Sequence, residues 1–277
     1  MLAVGKCGFS WSYSLQSAPS TTPGVSVTPG SGSKGAYVQL ASGANLSQDC
    51  YGLLLWFVAG NTTATIRDIL ADIGLDPAGG TSYAQTGGIN NIFVPQIGNA
   101  IQSGRWFYFP LFIKAGTSVG VRGQANNTST FRCMARFYGQ PTKPENIAVG
   151  MYSETIGVSG NGGTPFTCGN SAAWASWTSL GTTTRPLWYW QLAWGHNVGT
   201  TTAQMYFAEL GVGDGTTGGT VTIIPCMPMF NPGTAEQSNN PLFDGYWEVP
   251  AGATLYVRGS ATGTAETTEA VAVGIGG

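Results

Sequence analysis

Charge is what this chain has least of. Asp, Glu, Lys and Arg make up 9% of its 277 residues, against roughly a quarter in an average soluble domain. The balance of 11 basic and 13 acidic side chains leaves a net of -2. Binding to a nucleic-acid backbone needs a strong basic excess, so nucleic acid is excluded as a partner. There is one histidine, His196. It falls in Trp194-Gly-His-Asn-Val-Gly199, which reads as a turn, and no G-x-S-x-G motif accompanies it. A Ser–His–Asp hydrolase therefore has little to build on. The five cysteines (Cys7, Cys50, Cys133, Cys168, Cys226) include no C-x-x-C pair, which argues against a zinc site. No run of about 20 apolar residues is present, so membrane insertion is not expected. Met1-Leu-Ala-Val-Gly-Lys6 has no long apolar segment behind a basic start. No secretory signal is read there, and synthesis in the cytoplasm is expected.

What is present points to a folded β protein. Phe, Trp and Tyr reach 12%, too many for a disordered chain. Glycine, at 42 residues, and Thr, Ser and Asn take the place of charge. Isolated proteins use surface charge to stay apart, so a surface this neutral suits a part of a larger assembly. The odd cysteine count leaves at least one thiol free or paired with another chain. Cys7, near the N-terminus, is the candidate for pairing; the alternative is that all five are reduced and most are buried as small hydrophobes.

The chain repeats itself. Lys114-Ala-Gly-Thr-Ser-Val-Gly-Val-Arg-Gly123 is echoed by Pro250-Ala-Gly-Ala-Thr-Leu-Tyr-Val-Arg-Gly259, 136 residues on. Ala71-Asp-Ile-Gly74 is echoed by Ala208-Glu-Leu-Gly211, 137 residues on. Asn61-Thr-Thr-Ala64 resembles Gly199-Thr-Thr-Thr-Ala203. Three matches in one order at nearly the same offset indicate a duplicated module. Within each module the hydrophobic period is two, as in Phe131-Arg-Cys-Met-Ala-Arg-Phe137 and Val271-Ala-Val-Gly-Ile275. Turn signals punctuate these runs at Ala115-Gly116, Asn126-Asn127, Gly218-Gly219 and Ala251-Gly252. Thr65–Ile73 and Gln204–Leu210 are read as strands. The expected fold is all-β: two tandem jelly-roll-like β-sandwich modules, residues 34–141 and 164–277. An extended, Pro-containing arm (1–33), expected to dock on a partner, precedes them. A Gly-rich linker (142–163) joins them.

Three strands are apolar on both sides: Leu53–Val58, Trp106–Ile113 and Leu187–Trp194. An antiparallel strand with one wet face should alternate. Their second faces call for cover by the other module, the arm or another subunit. Candidate interface residues are Cys7, Trp56, Trp106, Tyr108, Phe112, Trp188, Trp190 and Trp194. Trp174 and Trp177 are candidate glycan platforms. Residues 34–141 carry seven basic and four acidic side chains, and residues 164–277 two basic and seven acidic. Opposite signs suit head-to-tail contact between copies.

Candidate chemistry is sparse. Asp72-Ile-Gly-Leu-Asp76-Pro-Ala-Gly-Gly80 offers two carboxylates, few for calcium, and reads as a strand end with an Asp-Pro turn. A glycosidase needs two facing carboxylates; Asp244, Glu248 and Glu209 are available, but nothing in the sequence pairs them. Asn61-Thr-Thr63 and Asn127-Thr-Ser129 fit the glycosylation pattern and read as turns.

The segments Asp72–Tyr83, Tyr108–Gly116, Val121-Arg122 and Phe137–Glu145 together resemble structural proteins of tailed bacteriophage virions. The resemblance covers most of residues 35–146. The second module departs from it: Gly213-Asp-Gly-Thr-Thr-Gly-Gly219 stands where the first has Asp-Pro-Ala-Gly-Gly. The resemblance implies jelly-roll modules serving as capsid decoration, neck, tail-fibre or baseplate parts. It implies a homo-oligomer on the virion, in contact with other virion proteins and with no catalytic residue, metal or cofactor. A host-surface glycan is the alternative partner, and a glycan-cleaving enzyme a further one.

Overall fold

A computed structural model describes residues 9–13, 24–60, 67–97, 104–139, 148–196, 202–231 and 244–277, the first of these in backbone only. The fold is all-β, with one short 3-10 turn at Gly43–Asn45 among the described residues. No described helix is long and apolar enough to cross a membrane.

The first module uses β1 (Phe9–Tyr13), β2 (Val25–Val27), β3 (Gly30–Ser31), β4 (Val38–Ala41), β5 (Cys50–Ala59), β6 (Arg67–Asp76), β7 (Ala84–Ile97), β8 (Arg105–Phe109), β9 (Ser118–Ala125) and β10 (Phe131–Gly139). One sheet runs β1-β10-β5-β8, with β2 also on β10; the other runs β3-β9-β6-β7, with β4 also on β9. The second module uses β11 (Tyr152–Ile156), β12 (Val158–Ser159), β13 (Gly162–Gly169), β14 (Thr178–Thr182), β15 (Leu187–His196), β16 (Gln204–Val212), β17 (Val221–Asn231), β18 (Asp244–Val249), β19 (Thr254–Ala261) and β20 (Thr267–Gly276). Its strand orders repeat the first: β13-β20-β15-β18 and, through β19, β14-β19-β16-β17. Both are jelly rolls.

The repeat extends to register. Leu53 pairs with Phe137, and 137 residues on Trp190 pairs with Gly274. Asp72 faces Arg122 as Glu209 faces Arg258. β2 lies antiparallel on β10 and β3 parallel on β9; β13 does both jobs in one strand, antiparallel on β20 and then parallel on β19. The echoed Ala-Gly turns share a backbone: Gly116 has φ +82° and Gly252 φ +83°, which a side chain would strain.

Two sequence expectations are corrected. The described part of the 1–33 segment is not a free arm, because β1, β2 and β3 pair with the first module. Val25 and Val27 sit in its core, where burying them satisfies both the hydrophobic drive and β10's backbone groups. The 142–163 segment is not simply a linker: β11 adds to β20, and β12 pairs with β13. Its glycines allow close packing rather than looseness. A Cβ on Gly163 would lie 2.7 Å from Ala270 backbone, and one on Gly162 2.2 Å from the Glu269 carboxylate. Smaller differences follow the same logic. β8 stops at Phe109, before Pro110, because proline cannot donate to a ladder. β15 runs on through His196, so the expected turn begins no earlier than the next residue.

β15 and β20 alternate between two cores. Trp190, Leu192, Trp194, Ala270 and Ala272 fill the second module. Tyr189, Ala193, Val271, Val273 and Ile275 point the other way and join the core of the first. The apolar second face of β15 is thus covered by the neighbouring module, chiefly along β7.

Removing residues 1–30 takes Val25 and Val27 from the core. We expect the shortened chain to lose about 3 kcal/mol or more in urea unfolding. Unchanged stability would show that β2 and β3 are dispensable.

Candidate interaction surface

The candidate interface residues separate into three groups. Trp190 and Trp194 are fully buried in the second module and are therefore not surface contacts. Trp190 Nε1 donates to the Trp247 carbonyl at 3.1 Å, and Trp194 tilts on Phe166. Their strand is central in its sheet, flanked by β20 and β18, so its inward side has no route to solvent.

Tyr108, Phe112 and Trp188 stand at the junction of the modules. The Tyr189 hydroxyl donates to the Tyr108 carbonyl at 2.8 Å, and the two rings meet edge to face. The Phe112 amide donates to the Gly150 carbonyl. Trp188 packs against the first module's core and stacks on Tyr246, with ring centroids 6.0 Å apart. Burial raises the Tyr189 phenol well above its usual value, so it stays a neutral donor.

Trp56 and Trp106 form the third group, on the outer side of β5 and β8. They stack at 5.3 Å and 16°, and Trp106 is 44% exposed. The corresponding edge of the second module, β18, exposes Tyr246 and Trp247. Both edge strands thus present aromatic surface of the kind that other chains can cover. Cys7 lies outside the described residues. Cys50, Cys133 and Cys168 are buried, and burial pushes the Cys50 thiol up to about 12. Cys226 is exposed.

Trp174 and Trp177 are occupied. Both rings lie against the Arg258 guanidinium, at 5.0 and 4.3 Å. Arg258 also binds the largely buried Glu209 at 2.7 Å. The first module repeats the device with other residues. Arg122 lies 4.5 Å over Tyr37 and binds Asp72 at 2.9 Å. Asp72 takes a second cation, Lys34, at 2.6 Å, and accepts the Asn91 amide. Asp76 accepts the amides of Ala78 and Ser82, so the Asp-Pro segment is built as a turn. Asn127 likewise accepts the Ser129 amide. Asn61-Thr-Thr63 lies outside the described residues. The sequence showed the Arg and acid positions of this repeated pair but not their meeting, which needs β6 beside β9.

The three carboxylates weighed for glycan cleavage do not converge as a set. Glu209 is on β16, held by Arg258; Asp244 and Glu248 are on β18. Burial raises the Asp244 pKa. Glu248 borders a groove of about 570 Å³ with Tyr152, Leu187 and Trp188. An adjoining hollow of about 350 Å³ shares Tyr152 and adds Arg185, Glu154 and Asn90. Sequence reasoning missed this groove, since its walls come from β11, β15, β18 and Gly277, far apart in the chain, and the hollow adds Gly87, Gly88 and Asn90 of the first module.

His196 ends β15 fully buried, with Nδ1 3.7 Å from Glu266 and its ring edge-on to Tyr206. Burial lowers its pKa below the usual 6.5, against the pull of Glu266. Burial alone would raise Glu266, but hydrogen bonds from Thr202 and Tyr206 hold it below its ordinary value.

No family model matches the chain, and no curated protein matches it. Solved structures similar in shape include PNGF-II, at TM-score 0.36 and 10% identity over 97% of this chain. The chain spans 65% of the length of PNGF-II. A peptide-N(4)-(N-acetyl-β-D-glucosaminyl) asparagine amidase gives TM-score 0.36 and 9% identity, covering 97% of this chain and 96% of that one. Broad Bean Stain Virus gives 0.32 and 10%, covering 95% and 93%. Scores this low carry no argument about activity.

Two outcomes are expected. Arg258→Ala strands Glu209 and should cost about 2–4 kcal/mol in urea unfolding. Arg122→Ala should cost less, because Lys34 still serves Asp72; equal losses would contradict this. The second outcome concerns pH. An unfolded chain protonates His196 before the folded one does, so stability present above pH 6.5 is lost as pH falls below it. Glu266 adds loss only below its usual 4.5. The raised Asp244 and Glu269 work in the opposite sense, losing stability as pH rises. Between about pH 7.5 and 5.5 the wild type should therefore lose more melting temperature than His196→Gln. Parallel slopes would remove His196 from the account.

Proposed function

We propose that this chain is a non-enzymatic structural protein of a virion. It assembles as a homo-oligomer on a phage particle, as capsid decoration or as a neck, tail or fibre component. Its partners are other copies of itself and other virion proteins. The observation that supports this reading is the location of three of the exposed aromatic side chains. Trp106 lies on β8 and Tyr246 and Trp247 on β18, the corresponding edge strands of two successive jelly rolls. Edge strands with apolar surface recruit neighbouring chains. The scarcity of charge is consistent with a surface that is largely covered in use. Many copies, each with moderate contacts, give a durable attachment.

One observation favours a second reading, a glycan-binding module. The groove beside Trp188 combines an aromatic wall with Glu248 and, next to it, Arg185. Sugar rings stack on aromatic faces, and their hydroxyls pair with such side chains.

Mass spectrometry of density-purified phage particles tests the first reading. The chain should be present in many copies per particle and survive a high-salt wash. Absence from particles, with glycan-array binding abolished by Trp188→Ala, would transfer the assignment to the second reading.

A further inference from the structure

The junction between the two modules has a counterpart at each end of the chain, and there no described residue covers it. In the junction, the outer side of β7 is covered by the β11-β20-β15 sheet of the second module. The Ser153 hydroxyl donates to the Gly88 carbonyl at 2.7 Å, and the Thr155 hydroxyl donates to that of Asn90. Phe93 is fully buried, in one core cluster with Tyr189, Val271, Val273 and Ile275 of the second module. On the second module the strand equivalent to β7 is β17. Ile69 pairs with Val94 as Tyr206 pairs with Met229, and Leu70 with Phe93 as Phe207 with Pro228. Even the bulge is repeated: Asn91 has φ +54°, and its equivalent Cys226 φ +43°.

The two strands differ in cover. Phe93 and Pro95 are buried, while their equivalents Pro228 and Phe230 are exposed, Phe230 by 44%. Val221 on the same strand is 50% exposed. The opposite end shows the complementary gap. The positions matching the buried Gln191, Ala193, Val271 and Val273 are Leu54, Trp56, Met134 and Arg136, and all four reach solvent. On β1, Ser10 and Ser12 hold the register positions of Ser153 and Thr155 against β10 and β20. Hydroxyl-bearing residues thus recur where the junction uses hydroxyl donors. The net charge of the first module is positive and that of the second negative, which favours their contact.

We infer that a second copy of this chain is the occupant: the β1-β10-β5 outer face of one molecule docks on β17 of the next, continuing the junction already present within each chain. The inference deepens the assembly reading and rests on it. Such a contact is heterologous, so it propagates head to tail and ends in a closed ring or a helical filament. A two-fold dimer through either surface is not what it predicts.

The test uses the full chain and two variants, Met134→Lys on the docking face and Phe230→Glu on β17. Sedimentation is run at about 100 μM, where even a micromolar contact is well populated. Wild type should form oligomers beyond the dimer, and each variant alone should remain monomeric. An equal mixture of the two variants should form dimers and stop there, because each molecule keeps one intact end. That rescue also shows that both variants are folded. A monomeric wild type, variants that assemble like wild type, or a mixture that stays monomeric would each overturn the inference. A chain abundant in particles whose variants assemble unchanged would remove the head-to-tail contact while the virion reading stands. Absence from particles would remove that reading on its own.

Discussion

A sheet face that is apolar must be covered, and in this protein one strand pair carries that constraint for both modules. β15 and β20 send alternate side chains into different cores. Trp190 and Trp194 belong to one module and Tyr189 and Val271 to the other. A period of two makes this arrangement available, and the absence of a polar face makes it obligatory. The placement of Tyr108, Phe112 and Trp188 follows from it. So does the contrast between β7, which is covered, and β17, which is not.

The duplicated ion pair shows how a repeat can preserve a physical device while its residues change. An acid on β6 or β16 faces an arginine on β9 or β19, and the guanidinium lies against aromatic rings. Asp72 has become Glu209, and Tyr37 is matched by Trp174. Lys34 serves only the first module's pair. A partly buried charge needs its partner, so the pair persists while the flanking sequence drifts. The aromatic rings that looked like open platforms in the sequence are used in holding that arginine.

Much of the fold was legible. Period-two patterning marked β10 and β20, and the echoed Ala-Gly turns located the duplication. The misreadings share one cause. Strands of two to five residues set in Gly-, Pro- and Ser-rich segments carry little hydrophobic signal of their own. β2, β3, β11 and β12 are strands because β10, β9, β20 and β13 offer them unpaired backbone. Val25 and Val27 were two apolar residues in a polar stretch. Gly162 and Gly163 resembled slack, yet a side chain there would strike β20. The candidate site was half legible. Trp56 and Trp106 were found as residues that needed cover, but the same rule also selected Trp190 and Trp194, which cover each other's neighbours inside the module.

The sequence alone determined that the chain is β-structured, that it is duplicated, and that it carries more apolar surface than one alternating sheet can hide. Those properties lie in composition and spacing, which are local. The tertiary structure decided which apolar face meets which, because that depends on strands far apart in the chain becoming neighbours. Only there do Glu209 and Arg258 touch, does β7 lie beneath β15, and is β17 left open.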